Sequence, residues 1–78
     1  MVTVFTNSDC VPCRSAKQYL SKRGVEYTEA DVFEGDNMAR LMKLTGRMIT
    51  PTILVEGEET SVVVGFNMMS LAKALTKA

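Results

Sequence analysis

The sequence predicts an α/β fold with the element order β-α-β-α-β-β-α, and three observations support that prediction. First, a short β-branched run at Val2–Thr6 precedes a helical pattern over Val11–Arg23 and an alternating run at Val25–Val32. A strand, a helix and a strand within about 30 residues form a right-handed βαβ unit with parallel strands. Second, two apolar runs, at Thr52–Val55 and Ser61–Val64, flank an acidic turn, which predicts a β-hairpin. Third, a last amphipathic helical pattern follows the hairpin.

Side-chain spacing also predicts where each helix ends and which face it buries. Asp36 or Asn37 is expected to cap the second helix and Asn67 the third, whereas Gly24 and Gly46 stop the first and the second. The predicted core positions are Cys13, Ala16 and Leu20 in the first helix, Met38, Leu41, Met42 and Thr45 in the second, and Met68, Leu71, Ala72 and Leu75 in the third.

Composition excludes several classes of function. The 78 residues suit one domain (residues 1–78), with a hydrophobic fraction of 46% and nine basic against nine acidic residues. A balanced charge argues against a nucleic-acid binder, which normally carries a basic excess. No apolar run approaches the roughly 18–20 residues that a membrane helix needs, and the N-terminus lacks the pattern of a signal peptide. We therefore expect a cytoplasmic protein without nucleic-acid or membrane partners.

Two cysteines and the absence of histidine limit the chemistry of the site. A zinc ion needs about three or four protein ligands, so two thiolates fall short unless carboxylates or a second chain complete the shell, and we expect no metal. Without histidine, Cys–His protease chemistry is excluded. A structural disulfide between Cys10 and Cys13 would close a loop of only two intervening residues, which constrains the unfolded chain very little. A redox-active pair is therefore favoured.

The motif Cys10-Val11-Pro12-Cys13 lies where the first predicted strand gives way to the first helix. Free backbone N–H groups and the helix dipole favour an anion at Cys10, and a thiolate is the nucleophile in disulfide exchange. Cys13 lies one turn further on, within reach of Cys10 and more sheltered, so it can resolve a mixed disulfide. Pro12 falls in the first turn, where it stiffens the loop and loses no hydrogen bond. This chemistry requires no bound cofactor.

Charged residues are grouped along the chain, and two interpretations of them stay open. Arg14 and Lys17 belong to a purely basic first helix, an acidic stretch follows it, and Arg47 belongs to a second basic group. In one interpretation these are solvated faces that pair with their neighbours. In the other, Arg14, Lys17 and Arg47 make the surroundings of the two cysteines electropositive, activate Cys10, and attract an acidic peptide or the carboxylates of glutathione.

The cysteine motif on a βαβ unit, with Thr50-Pro51 before a later strand, resembles the glutaredoxin branch of the thioredoxin superfamily. The resemblance covers essentially all of the chain, and it implies a thioredoxin-like (glutaredoxin) fold whose four-stranded mixed sheet is flanked by three helices. It also implies a cis peptide bond at Thr50-Pro51 and a dithiol reductase of protein disulfides, in which the backbone of Thr50 pairs with the substrate as an added strand. The substrate-binding residues that the resemblance implies are Pro12, Ile49, Thr50, Pro51, Gly65 and Phe66. The ring of Phe66 is either a buried anchor or a platform for substrate.

The electron donor stays open within this family. Members that use glutathione usually carry a lysine three residues before the first cysteine, where this chain has Asn7, and a Gly-Gly pair with an acidic residue, where it has Gly65-Phe66-Asn67. The Gly-Phe pair is more like the NrdH-type redoxins, which reduce class Ib ribonucleotide reductase and are recharged by thioredoxin reductase with NADPH. The expected protein is a monomeric electron carrier of this kind. The alternatives are a glutathione-dependent glutaredoxin, a dimeric module that binds zinc or an iron–sulfur cluster through cysteines of both chains, and a redox-inert scaffold.

Overall fold

Helices lie on both faces of a central β-sheet in the computed structural model, which describes residues 1–77. Within these residues, no helix is long and apolar enough to cross a membrane. The order of elements predicted from the sequence is confirmed. The elements are β1 (Val2–Thr6), α1 (Val11–Lys22), β2 (Thr28–Asp31), α2 (Asn37–Thr45), β3 (Thr52–Val55), β4 (Ser61–Val64) and α3 (Met68–Lys77).

The sheet has the strand order β2-β1-β3-β4, with β1 parallel to β2 and antiparallel to β3, and β3 antiparallel to β4. This is the four-stranded mixed sheet that the resemblance implies. These directions place the ends of β1, β2 and β4 and the start of β3 at one edge of the sheet. We call this edge, together with the loops that leave it, the dithiol end, because Cys10 follows β1 there. Thr50-Pro51 precedes β3 and Gly65 follows β4 at the same edge.

Alternating strand residues pack into a core on each face of the sheet. On the face covered by α1 and α3, strand residues such as Val4 and Ile53 pack with Leu20 and Leu71. On the other face, Phe5 packs with a smaller group of buried residues that includes Leu41 of α2. Burying a large aliphatic or aromatic side chain contributes about 1.5–3 kcal/mol. The members of the second group are Phe5, Ala30, Val32, Leu41 and Leu54, with Met38 packed against them.

One predicted strand boundary is wrong, and one predicted cap makes no side-chain hydrogen bond. The strand predicted at Val25–Val32 is confined to β2, since the N–H of Val25 donates to the carbonyl oxygen of Leu20 at 2.9 Å and ties that residue to the end of α1. Asp36 occupies the N-cap position of α2, but its side chain makes no capping hydrogen bond. The amide of Asn37 donates instead to the carbonyl oxygen of Asp31 at 2.8 Å.

Two methionines predicted to lie in the core are exposed. Met42 is 44% exposed and Met68 is 58% exposed, whereas Met38 packs against the core as predicted. The centres of the same helix faces, at Leu41 and Leu71, are fully buried. Periodicity predicts the direction of a buried face but not its width, and the width depends on how much of the sheet each helix covers.

Candidate active site

Cys10 and Cys13 form a disulfide bond across the first turn of α1. Their Cα atoms are 5.2 Å apart, which is an ordinary separation for a disulfide. Cys10 is the N-cap residue of α1 in an extended conformation, and its Sγ accepts a hydrogen bond from the backbone N–H of Cys13 at 3.1 Å. The site is therefore a dithiol in its oxidised form, held at the positive end of a helix.

The two cysteines differ in how far solvent and other molecules can reach them. Cys10 is 8% exposed, whereas Cys13 is 1% exposed and lies on the same buried face of α1 as Ala16 and Leu20. Free N–H groups and the helix dipole at the start of α1 favour a negative charge on Cys10 once the disulfide is reduced. This arrangement provides one reachable sulfur that is stabilised as a thiolate and one sulfur that is shielded.

The side chain of Asn7 links the loop before α1 to the loop before β3. Its Oδ1 accepts a hydrogen bond from the backbone N–H of Asp9 at 2.9 Å, and its Nδ2 donates to Oγ1 of Thr50 at 3.5 Å. The peptide bond between Thr50 and Pro51 is cis, as the resemblance implies. Within the described residues no hydrogen bond engages the backbone N–H or C=O of Thr50. Both groups are therefore available to an extended peptide.

Gly65 and Phe66 follow β4 and form the third segment of the dithiol end, beside the β1–α1 loop and the loop before β3. The N–H of Gly65 donates to the carbonyl oxygen of Pro51 at 2.7 Å, and its φ of 78° is a left-handed conformation that favours glycine. The ring of Phe66 contacts Tyr19 of α1 edge-to-face, with the ring centroids 6.1 Å apart, and packs against the larger core. Of the two roles considered for Phe66, these contacts favour the buried anchor.

Exposed apolar side chains lie on two segments of the dithiol end. In the first turn of α1, Val11 is 68% exposed and Pro12 is also exposed. In the loop before β3, Met48 is 53% exposed, and Ile49 is partly buried with its carbonyl oxygen accepting a hydrogen bond from Oγ1 of Thr52 at 2.7 Å. Exposed apolar surface next to a reactive group is typical of a surface that contacts another molecule.

A polar cavity of about 300 Å³ lies beside Cys10, on the side of β2. Residues of the β1–α1 loop, of α1, and of β2 with its following turn form its wall. These residues are Thr6, Asn7, Ser8, Cys10, Arg14, Lys17, Glu29, Asp31 and Glu34.

Charges of both signs face this cavity. Nζ of Lys17 and Oε1 of Glu29 form an ion pair at 2.6 Å, with the side chains 28% and 51% exposed. This pair matches the interpretation in which solvated faces pair with their neighbours. Arg14 is exposed and contributes to the wall, whereas Arg47 does not. The backbone N–H of Arg47 donates instead to Oγ1 of Thr45 at 3.0 Å, at the end of α2.

The carboxylates of the cavity wall are absent from the site residues that the sequence predicts. Glu29 and Asp31 lie in β2, and Glu34 lies in the turn that follows it. The signal that could have found them is the parallel pairing of β1 with β2, because Thr6 pairs with Asp31 at the edge that Cys10 follows. Residues at the carboxyl ends of neighbouring parallel strands meet at one edge of a sheet.

Metal ligands are sparse around the disulfide. Among residues 1–77, no group of three or more His, Cys, Asp or Glu side chains is arranged to hold a metal ion. A metal shared between two chains would have to reach both sulfurs from outside. Cys13 offers almost no surface for such an approach.

The chain is similar to known proteins in both sequence and structure. The glutaredoxin family model matches residues 2–60 of the chain. The global transcriptional regulator Spx of Staphylococcus aureus is 37% identical over 49 residues, which cover 58% of this chain and 37% of Spx. The chain therefore spans little more than a third of the length of that curated relative.

The solved structures that share the fold over nearly the whole chain include a thioredoxin-like protein and a glutaredoxin-like redoxin. The thioredoxin-like protein BC3987 superposes with a TM-score of 0.82 and 33% sequence identity, over 95% of this chain and 99% of that one. The glutaredoxin-like protein NrdH-redoxin from Escherichia coli superposes with a TM-score of 0.73 over 92% and 91% of the two chains. Its sequence identity is 22%, so this second likeness shows the fold alone.

Proposed function

The chain belongs to the glutaredoxin family, and from that premise we propose that it is a thiol–disulfide oxidoreductase that reduces protein disulfides through Cys10 and Cys13. One observation carries the proposal. The sulfur at the helix N-terminus accepts a hydrogen bond from the N–H of the other cysteine and belongs to the more exposed residue of the pair. A nucleophile must be both ionised and reachable, whereas a resolving thiol has only to reach its neighbour.

The proposed reaction proceeds in two exchange steps. The Cys10 thiolate attacks one sulfur of the substrate disulfide, forms an intermolecular disulfide, and releases the other substrate sulfur as a thiolate. Cys13 then loses its proton and attacks Sγ of Cys10, which releases the second substrate thiolate. Two electrons have passed from the dithiol to the substrate, and the product is the intramolecular disulfide present in the structure.

We propose that the substrate binds as an extended peptide along the loop before β3. The free backbone N–H and C=O of Thr50 support this, because an added strand pairs through such groups. Pro51 and Gly65, which are joined by a hydrogen bond, would lie beneath the bound peptide, and Ile49 would lie beside it. The exposed side chain of Val11, next to Pro12, would contact the peptide near its reacting disulfide.

The proposed electron donor is thioredoxin reductase with NADPH, in place of glutathione. Glutathione carries two carboxylates, and a cationic or free N–H partner for them is needed at the positions where glutathione-dependent members bind it. Asn7 is uncharged, and both ends of its amide are already engaged. Asn67 accepts a hydrogen bond from the N–H of Ser70 at 3.0 Å and so caps α3. By the same resemblance, class Ib ribonucleotide reductase is the proposed substrate to test first.

We further propose that the protein acts as a monomer, as one domain over residues 1–78, in the cytoplasm. Both reacting sulfurs come from one chain, so the reaction requires no second copy. Cytoplasmic reductants keep thiols reduced, which a dithiol donor needs between turnovers. We expect the purified protein to sediment as an 8.6 kDa species and to be colourless and free of metal on elemental analysis, whereas a coloured or zinc-containing dimer would favour the metal-binding alternative.

A recycling assay tests the function and its donor together. NADPH oxidation is followed with insulin as the disulfide substrate, either with thioredoxin reductase or with glutathione and glutathione reductase. We expect turnover with thioredoxin reductase and none for the Cys10→Ser variant. Turnover with glutathione alone would overturn the choice of donor and leave the dithiol reaction standing. Full activity of Cys10→Ser would overturn the dithiol reaction itself.

A further inference from the structure

We propose that Glu29 restrains the nucleophilicity of Cys10 by pairing with Lys17, and that it is thereby a positioning residue of the reaction. The inference rests on the proposed function and deepens it. Glu29 is not part of the cysteine motif and was not expected at the site from the sequence. Its carboxylate lines the same cavity as Cys10 and forms an ion pair with Lys17, which is one of the two cationic side chains of the cavity wall.

The geometry of the pair gives Lys17 a fixed position. Lys17 lies two helical turns after Cys10 on α1, and its ammonium group is paired with the carboxylate of Glu29 in β2. A lysine in this position would otherwise stabilise a thiolate across the cavity. With Glu29 beside it, the two charges cancel at longer range, so Cys10 experiences little of either.

The other charged groups around Cys10 do not restore a positive balance. Arg14 is the second cation of the cavity wall, and it is opposed by the two remaining carboxylates of the wall, Asp31 and Glu34. Oδ1 of Asp31 accepts a hydrogen bond from the N–H of Phe33 at 2.9 Å, which keeps that carboxylate at the end of β2. Asp9 precedes Cys10 in the sequence and adds a further negative charge. Release of Lys17 would therefore leave its positive charge uncancelled at a site where the other charged groups sum to a negative charge.

The expected size of the effect follows from the position of Lys17 on α1. Lys17 comes seven residues after Cys10, which is roughly 10 Å along the helix axis. One unit charge at about that distance, in a dielectric at or slightly below that of water, changes the ratio of thiolate to thiol by about two- to threefold. The change should shrink when salt is added, because the charges are partly exposed and the Debye length becomes shorter than this separation.

The experiment is a double-mutant cycle on the reduced protein. The rate at which iodoacetamide modifies Cys10 is measured by mass spectrometry near neutral pH, at low and at high salt, and across a pH series. We expect Glu29→Gln to speed the reaction about two- to threefold at low salt and Lys17→Gln to slow it by a similar factor. The double variant should return to the rate of the unmodified protein, since it removes both charges.

A matched control removes one carboxylate elsewhere. Glu59 lies in the exposed β3–β4 turn, at the edge of the sheet opposite the dithiol end, so Glu59→Gln should leave the rate unchanged. The ion pair contributes little to stability because it is partly exposed, so the variants are expected to fold.

Two results would overturn the inference. One is a Glu29→Gln rate no different from that of Glu59→Gln. The other is a change in the same direction for Glu29→Gln and Lys17→Gln, which a loosened helix would produce and a charge effect would not. Insulin reduction by the unmodified protein is measured alongside. If that activity is present and either result is obtained, the role of Glu29 fails alone; if that activity is absent, the proposed function fails whatever the alkylation rates are.

Discussion

Alkylation of the reduced protein should reach Cys10 at least about two to five times faster than Cys13. Stabilisation of an anion at a helix N-terminus contributes about 0.3–1 kcal/mol, which is a factor of about two to five in the thiolate population of Cys10. Access acts in the same direction, because Cys10 is 8% exposed and Cys13 is 1% exposed. The factor from the helix N-terminus is therefore the lower bound of the expected ratio.

The assay uses substoichiometric iodoacetamide on freshly reduced protein. Fragment-ion mass spectrometry then assigns the label to one of the two cysteines within a single peptide. In the Cys10→Ser variant, Cys13 should keep its slow rate, because it lies on the buried face of α1 together with Ala16 and Leu20. Equal labelling of the two cysteines, or faster labelling of Cys13, would refute the assignment of nucleophile and resolving thiol.

Three further predictions test the resolving step, the donor and the core. Cys13→Ser should accumulate a covalent complex with substrate that thiol reductants dissolve; a non-reducing gel without such a band would contradict this. Asn7→Lys should raise turnover with glutathione about tenfold or more, through a new charged hydrogen bond, whereas Ser8→Lys should not. Leu71→Ala, at a fully buried position, should lower the free energy of unfolding by about 2–5 kcal/mol. Met69→Ala, at a position that is 73% exposed, should lower it by less than about 0.5 kcal/mol. Urea denaturation measures both losses, and equal losses would contradict the packing described for α3.

Features that depend on neighbouring residues in the chain could be predicted from the sequence. The burial of Cys13, Ala16 and Leu20 follows from helical spacing alone, and the structure confirms it. The cap at Asn67 follows from an amide at the start of an amphipathic segment, and its hydrogen bond to the N–H of Ser70 is present. The position of the two cysteines at the start of a helix could be predicted in the same way, because it depends only on where β1 ends and α1 begins.

Features that depend on how elements pack against each other could not be predicted in this way. The exposure of Met42 and Met68 depends on how much of the sheet each helix covers. The pairing of Lys17 with Glu29 requires the register of β2 beside β1, and a list of charges along the chain does not give that register.

Reduction of insulin disulfides by the pre-reduced protein, without any recycling system, tests the central role of the Cys10–Cys13 pair most directly. The thiols consumed and the insulin thiols formed are counted together with the intramolecular disulfide that appears. One Cys10–Cys13 disulfide should form for each insulin disulfide reduced, and Cys10→Ser should reduce none. Insulin reduction by Cys10→Ser at the rate of the unmodified protein, or no reduction by the unmodified protein, would contradict that role.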